Sequence, residues 1–341
     1  MSRTSEDALL AMSLVAMAIT SVLLGVTGVA IALATFNFLF GAASIGVDLS
    51  RQALVARGVA PARRGRAIAA MGGASRLANF AGPILGGVLI EVAGFATTFV
   101  VVGVSCLAGY TPIMMARRRS LAAGSAPTPS KRAPSGGLVR TVVRHRRLFL
   151  LGGVGPTLIT AVRQGRMILL PLIGDAVGLS PATVGVLISV GTAAELFLFP
   201  VSGIVMDRYG RLHAIIPAFA LVLVGLVALA MVDTVVGVVV AAVVIGIGNG
   251  AGSGTMQTLS TDIAPPDAIG EFLAGMNALN GAGRALGPLI VGSAAAFGGL
   301  RGAALTLAGI TAIAVVWMVI LVGETSGRDQ AHVPAATSPE V

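Results

Sequence analysis

Charge is scarce in this sequence: Asp, Glu, Lys and Arg make up 11% of its 341 residues, against 55% hydrophobic. A soluble domain of this size needs a polar coat, so the shortage excludes an ordinary water-soluble protein and points to a bilayer as solvent. Cysteine is nearly missing. Cys106 stands alone, which rules out an intrachain disulfide or a thiolate metal cluster and leaves a small apolar residue within a span. Histidine is confined to His145, His213 and His332, with no carboxylate cluster near them in sequence, so neither a catalytic centre nor a bound metal or other cofactor is expected. No GxxxxGK[ST] loop exists to cradle a nucleotide. Aromatic residues are 4% of the chain and do not interleave with the basic ones, which argues against nucleic acid as a partner despite a net charge of +9.

What the chain does have is long apolar runs. Uncharged or nearly uncharged stretches cover residues 8–47, 67–90, 92–116, 148–174, 176–206, 212–232, 234–261, 272–300 and 302–323. The first would be about 60 Å long as a helix, enough for two crossings of a roughly 30 Å hydrocarbon core. Ten spans are therefore expected. Lipid offers no partner for backbone polar groups, and the runs lack the short alternation of a barrel, so each is read as a helix. The 46 glycines fit close helix packing where no hydrophobic effect drives helices together.

The basic residues divide by side. Arg3, Arg51, Arg57, Arg63, Arg64, Arg66, the cluster from Arg117 to Arg147, Arg208, Arg211 and Arg328 fall on one face of a ten-span topology, whereas the opposite loops, near Glu91, Asp175, Asp233 and Arg301, hold a single basic residue. By the positive-inside rule both termini are cytoplasmic. The N-terminal segment has the wrong charge and too long an apolar run for a cleaved signal, and is read as a span.

Residues 117–147 form a Ser-, Pro- and Gly-rich cytoplasmic loop that cannot bury a core. It separates a four-helix bundle, 1–116, from a six-helix bundle, 148–325, with a cytoplasmic tail at 326–341. An offset of 205 aligns Gln52 with Gln257, Pro61 with Pro266, Gly65 with Gly270, Met71 with Met276, Gly82 with Gly287, Pro83 with Pro288 and Gly87 with Gly292 without a gap. The halves read as parallel copies of one unit, an arrangement used by transporters with a site between the copies.

In "GIVMDRYGR", Gly203, Asp207, Arg208, Gly210 and Arg211 match GxxxDRxGR, and the chain thereby resembles the major facilitator superfamily, which places this signature in the cytoplasmic loop between the second and third helices of each half. Two glycines suit a tight turn, Asp207 suits the positive end of a neighbouring helix, and the arginines suit the headgroup layer. "ANFAGPILGG" resembles the family's antiporter signature through Gly82, Pro83, Gly86 and Gly87, with Ala78 where a glycine is expected; its repeat partner keeps Gly283, Gly287 and Pro288. Small residues at this spacing equally serve helix packing. The RxxQG signature is poorly matched, since Asn37 and Phe40 occupy its polar positions before Gly41. Asp48 and Arg51 resemble the charge pair that closes the cytoplasmic gate in the family. The resemblance implies an all-α membrane bundle of two pseudo-symmetric repeats, working by alternating access as a monomer in the plasma membrane, with export of a small molecule favoured. Aligning the signature back by 205 residues lands on "SRTSE", so the chain is expected to begin two helices into a twelve-helix fold.

Ionisable groups within spans are costly and need a partner or a task. Arg163, Gln164 and Arg166 lie in "ITAVRQGRMILLP", and Glu195 lies midway along "VLISVGTAAELFLFPVSG". Consecutive spans pack together, so an ion pair of Glu195 with Arg163 or Arg166 is expected. Two roles stay open for Glu195: a permanent structural pair, or a carboxyl that carries a proton as the coupling ion. Asn37 completes the set of substrate or proton candidates. Two functions stay open as well: a secondary transporter of a small molecule, or a non-transporting remnant or accessory protein of the same fold.

Overall fold

A computed structural model describes residues 3–58, 61–111, 137–265 and 268–324, and all regular structure among them is helical. Two compact units, Met1–Ala133 and Pro134–Val341, are built independently.

The first unit holds α1 (Arg3–Val26), α2 (Ala30–Gly58) and α3 (Pro61–Ala108). The long opening run divides at residues 27–29, between α1 and α2. Along α1, Leu10, Leu14 and Ala18 are buried at four-residue spacing, one stripe of the helix. Close approach does the rest: Ser21 Oγ donates to the Phe99 carbonyl at 2.8 Å, and a Cβ on Gly103 would lie 3.0 Å from the Ala18 carbonyl.

The second unit holds α4 (Gly137–Arg144), α5 (Arg146–Ala176), α6 (Pro181–Tyr209), α7 (Arg211–Met231), α8 (Val235–Ala251), α9 (Thr255–Asp262) and α10 (Ile269–Trp317), which runs on into a π-helical turn, Met318–Val322. On α7, Ile215, Phe219, Val222, Leu226 and Leu229 are buried at alternating steps of four and three, the stripe a helix turns toward a core. They meet Ile159, Leu169 and Leu170 of α5, Val238 and Ile245 of α8, and Ala304 and Leu307 of α10. A smaller cluster, Phe149, Phe272 and Met276, closes one end, with the two rings tilted at 40° and 4.6 Å apart. The Trp317 indole donates to the Leu151 carbonyl at 3.0 Å and fixes the last turn of α10 to the first turns of α5.

Three expectations shift. Boundaries expected at Glu91 and Arg301 fall instead at Gly94 (φ 79°) and Gly299 (φ 63°), because the backbone needed to break a continuous helix there is open to glycine without steric cost. The stretch 117–147, expected as a loop that buries no core, is helical in its last part: α4 lies within it and buries Thr141. Residues 112–116 at the end of the first expected bundle, 117–136 of that loop, and everything from 325 onward lie outside the described residues. Finally, the run 234–261 is interrupted at residues 252–254 between α8 and α9, with Gly254 left-handed at φ 84°.

Among the described residues, seven helical segments are long and apolar enough to cross a membrane. Two of them, Ala70–Ala108 and Ile269–Val322, contain the breaks at Gly94 and Gly299. The 31-residue α5 is not among the seven, because Arg163 and Arg166 dilute its apolar windows.

Candidate functional site

Halfway along the second bundle four polar side chains converge. Arg163 and Arg166 lie one turn apart on α5, Glu195 stands at the midpoint of α6, and Asn249 lies midway along the apolar segment Val235–Asp262. Arg166 Nη2 donates to Glu195 Oε1 at 2.8 Å, with the arginine 4% exposed and the glutamate side chain 28% exposed. Arg163 does not reach Glu195. Its Nε donates to Asn249 Oδ1 at 3.0 Å and its Nη2 to the Asn249 carbonyl at 3.1 Å.

That second bond exists because of the interruption after α8. In an unbroken helix the Asn249 carbonyl would accept from the amide of Ser253; here the Ser253 amide donates to Gly250 instead. The released carbonyl is then bonded by Arg163. Glycines bring the elements close enough for this. A Cβ on Gly246 would lie 2.5 Å from the Gly191 Cα, and one on Gly250 would lie 2.6 Å from the Ala194 carbonyl and 2.9 Å from the Glu195 Cα. The α6–α8 crossing is therefore backbone on backbone beside Glu195 and Asn249.

Gln164 belongs to a different face. It abuts Gly287, where a Cβ would lie 2.8 Å from the Gln164 Cβ and 2.5 Å from the Ala161 carbonyl; one turn earlier, a Cβ on Gly283 would collide with the Thr157 carbonyl. Gly283 and Gly287 thus seat α10 on α5, with Pro288 inside the same helix, and hold the rotation that aims Arg163 and Arg166. In the first unit Gly82 and Gly86 meet nothing within 4 Å of an added Cβ, Pro83 lies inside α3, and Gly87 is buried. Asn37 is on an exposed part of α2. Asp48 and Arg51 pair with each other one turn apart on α2 at 2.9 Å, both about half exposed.

The signature loop departs from expectation in two respects. Gly210 alone makes the turn, at φ 105° between α6 and α7, whereas Gly203 is an ordinary helical residue of α6 with open space at its Cβ. A single residue with positive φ suffices to reverse the chain, so a second glycine is not needed there. Nor is Asp207 the carboxylate at a helix start: its side chain is 80% exposed and accepts from Arg211 Nη1 at 3.0 Å. Glu324 takes that place, its Oε1 accepting from the Arg211 amide at 2.7 Å and its Oε2 from the Leu212 amide at 3.0 Å, two unsatisfied donors at the positive end of α7. Arg211 Nε also donates to Asp262 Oδ2 at 2.8 Å, while Arg208 is exposed and its guanidinium lies 5.6 Å from the Tyr209 ring centre.

Asn249, Asp262 and Glu324 were not anticipated. Asn249 had a signal, the one amide side chain within "GIGNGAGSG"; Asp262 and Glu324 had none, since their partners lie far away in sequence.

Comparisons with known proteins agree with this architecture. The Major Facilitator Superfamily model matches residues 2–162 and 157–339. No curated protein matches the sequence. Among solved structures, a POT family transporter in complex with a thioalcohol-conjugated peptide is similar at 14% identity and a TM-score of 0.68, covering 93% of this chain and 81% of that one. A bacterial homologue of the human lysosomal transporter Spinster, inward-facing and occupied, is similar at 15% identity and a TM-score of 0.69, covering 92% and 80%. At such identities the likeness is one of fold, and it is the family match over nearly the whole chain that decides: this all-helical, multi-pass membrane protein belongs to the Major Facilitator Superfamily.

Proposed function

We infer that this chain is a secondary transporter that carries a small molecule across the plasma membrane by alternating access, with Arg163 and Glu195 facing the solute path and Arg166 and Asn249 buried behind them. The observation that carries this reading is the ionic cluster at mid-depth of the second bundle. A bilayer-buried charge costs about 2.5–3.5 kcal/mol on insertion scales, and a fold that needed only stability would do without three of them in one place. Arg163 is only partly buried and Glu195 is 28% exposed at its side chain, so a solute entering the bundle can reach them.

Ten crossings follow if the breaks at Gly94 and Gly299 divide two of the seven apolar segments and α5 is added to them. With that count both termini are cytoplasmic, and the protein works as a monomer. Export is the proposed direction, on the strength of the antiporter-like stretch around Gly82 and Pro83.

For Glu195 the structural role is favoured, since it already holds Arg166. Its partial exposure supports proton coupling as the second reading. The test is solute flux in vesicles containing the purified chain, under an imposed proton gradient. Flux that vanishes in Arg166→Gln supports the cluster as the path, and flux indifferent to that change overturns it. An unaltered pH profile in Glu195→Gln would remove this residue from any proton path. If no solute moves at all, the accessory-protein reading takes precedence.

A further inference from the structure

We propose that the polar cluster of the second bundle binds an anionic oxygen group of the solute, a carboxylate or a phosphate-like oxyanion, with Arg163 as its main contact. The inference rests on the reading of this cluster as part of the solute path, and it names the chemical class that path accepts.

Charge balance is the first argument. Arg163 and Arg166 bring two positive charges to mid-depth and Glu195 brings one negative charge. Every other acidic residue among the described residues of this unit, Asp175, Asp207, Asp233, Asp262, Glu271 and Glu324, lies at or near a helix end. Arg284, exposed on the arm of α10 that packs on α5, adds charge of the same sign. One arginine is therefore left without a counter-ion in a medium where an uncompensated charge is expensive. An incoming anion supplies the missing charge; a cation would worsen the imbalance.

The bonding pattern is the second argument, and it shows which arginine is free to act. Arg166 is committed to Glu195. Arg163 is held only by a neutral amide and a carbonyl through Nε and Nη2, and its Nη1 has no hydrogen-bond partner among the described residues. Two further donors at the same spot are buried and unpartnered: Nε of Arg166 and Nδ2 of Asn249, on residues 4% and 1% exposed. Buried donors without acceptors are rare, because each forfeits its hydration. Three unsatisfied N–H groups and one surplus positive charge, arranged around a partly open guanidinium, form a site short of an acceptor. Arginine also suits this ligand, since its planar fork matches a carboxylate or phosphate.

The test uses the purified full chain in detergent at constant chloride. Its thermal unfolding is followed with acetate, benzoate, succinate and inorganic phosphate, and with acetamide, benzamide and succinamide as neutral counterparts. At least one of the anions is expected to raise the unfolding midpoint where the amides do not. A response to carboxylates alone, or to phosphate alone, tells which oxyanion fits. In Arg163→Gln the half-saturating anion concentration should rise on the order of tenfold or more, the effect of losing one charge-assisted hydrogen bond. Arg301→Gln, the same charge change at an exposed pair with Asp233 at the far end of the bundle, should leave the response intact. Should Arg163→Gln aggregate, Arg163→Lys keeps the charge, loses the fork and is expected to weaken the response. No anion acting beyond its amide, or a response unchanged in the Arg163 variants, overturns the proposal. Flux of a neutral solute without any anion effect would sink this inference and leave the transporter reading standing. An Arg163-dependent anion response in a chain that moves no solute would do the opposite.

Discussion

Gly82 and Gly287 occupy equivalent positions of the two sequence repeats, yet they do different work. Around Gly82 a Cβ would meet nothing within 4 Å, whereas around Gly287 it would come within 2.5 Å of a backbone carbonyl of α5. Some of the helices around them differ in the same sense. None of the apolar window on α2 is buried, against half of the windows on α7 and on Val235–Asp262. The second bundle is a tightly seated object whose glycines set helix rotation, and so decide where the charges of α5 point. A shared motif thus reports common sequence ancestry of the halves, not a common packing role, since the role depends on which helix lies across the seam.

The largest expected effect that tests this contrast is at the polar cluster. Glu195→Ala strands Arg166 in the bundle and should cost about 3–5 kcal/mol, seen as a collapse of the thermal midpoint; a small loss would mean that water or lipid headgroups reach the site freely. Next comes Gly287→Ala, which forces α10 off α5 and should cost about 1–3 kcal/mol. Its repeat partner provides the opposite sign: Gly82→Ala fills open space within a helix and should stabilise by roughly 0.5–1 kcal/mol. Equal effects at the two positions would erase the contrast. At the loop, Glu324→Gln keeps shape but removes the charge at the start of α7, a loss of about 0.3–1 kcal/mol that salt should diminish. Smallest of all is Arg51→Gln on α2, where the half-exposed pair with Asp48 contributes about 0–1 kcal/mol, so unfolding should scarcely change.

The helical membrane class was legible because apolar runs of bilayer length admit few other solutions. The breaks in α3 and α10 were not placed correctly, for charged residues mark where a chain can meet water, while a glycine marks where the backbone can bend. Arg163, Arg166 and Glu195 stood out since each is costly in lipid. Their pairing could be narrowed only to either arginine, because both lie on one face of α5 and the choice depends on where α6 and α8 cross. Glu324 was invisible for the same kind of reason: it acts on amides of Arg211 and Leu212, more than a hundred positions away in the chain.

The sequence by itself therefore determined the solvent, the all-helical class, the family and the small set of charges that need an explanation, all of which follow from transfer free energies and local spacing. The tertiary structure alone decided which arginine neutralises Glu195, that a released carbonyl of Asn249 holds the other, and that a surplus positive charge stays at mid-depth. Those outcomes depend on close backbone approaches at Gly246, Gly250 and Gly287, where an added Cβ would lie 2.5–2.6 Å from a neighbouring backbone atom, and glycine in a sequence does not say what it will touch.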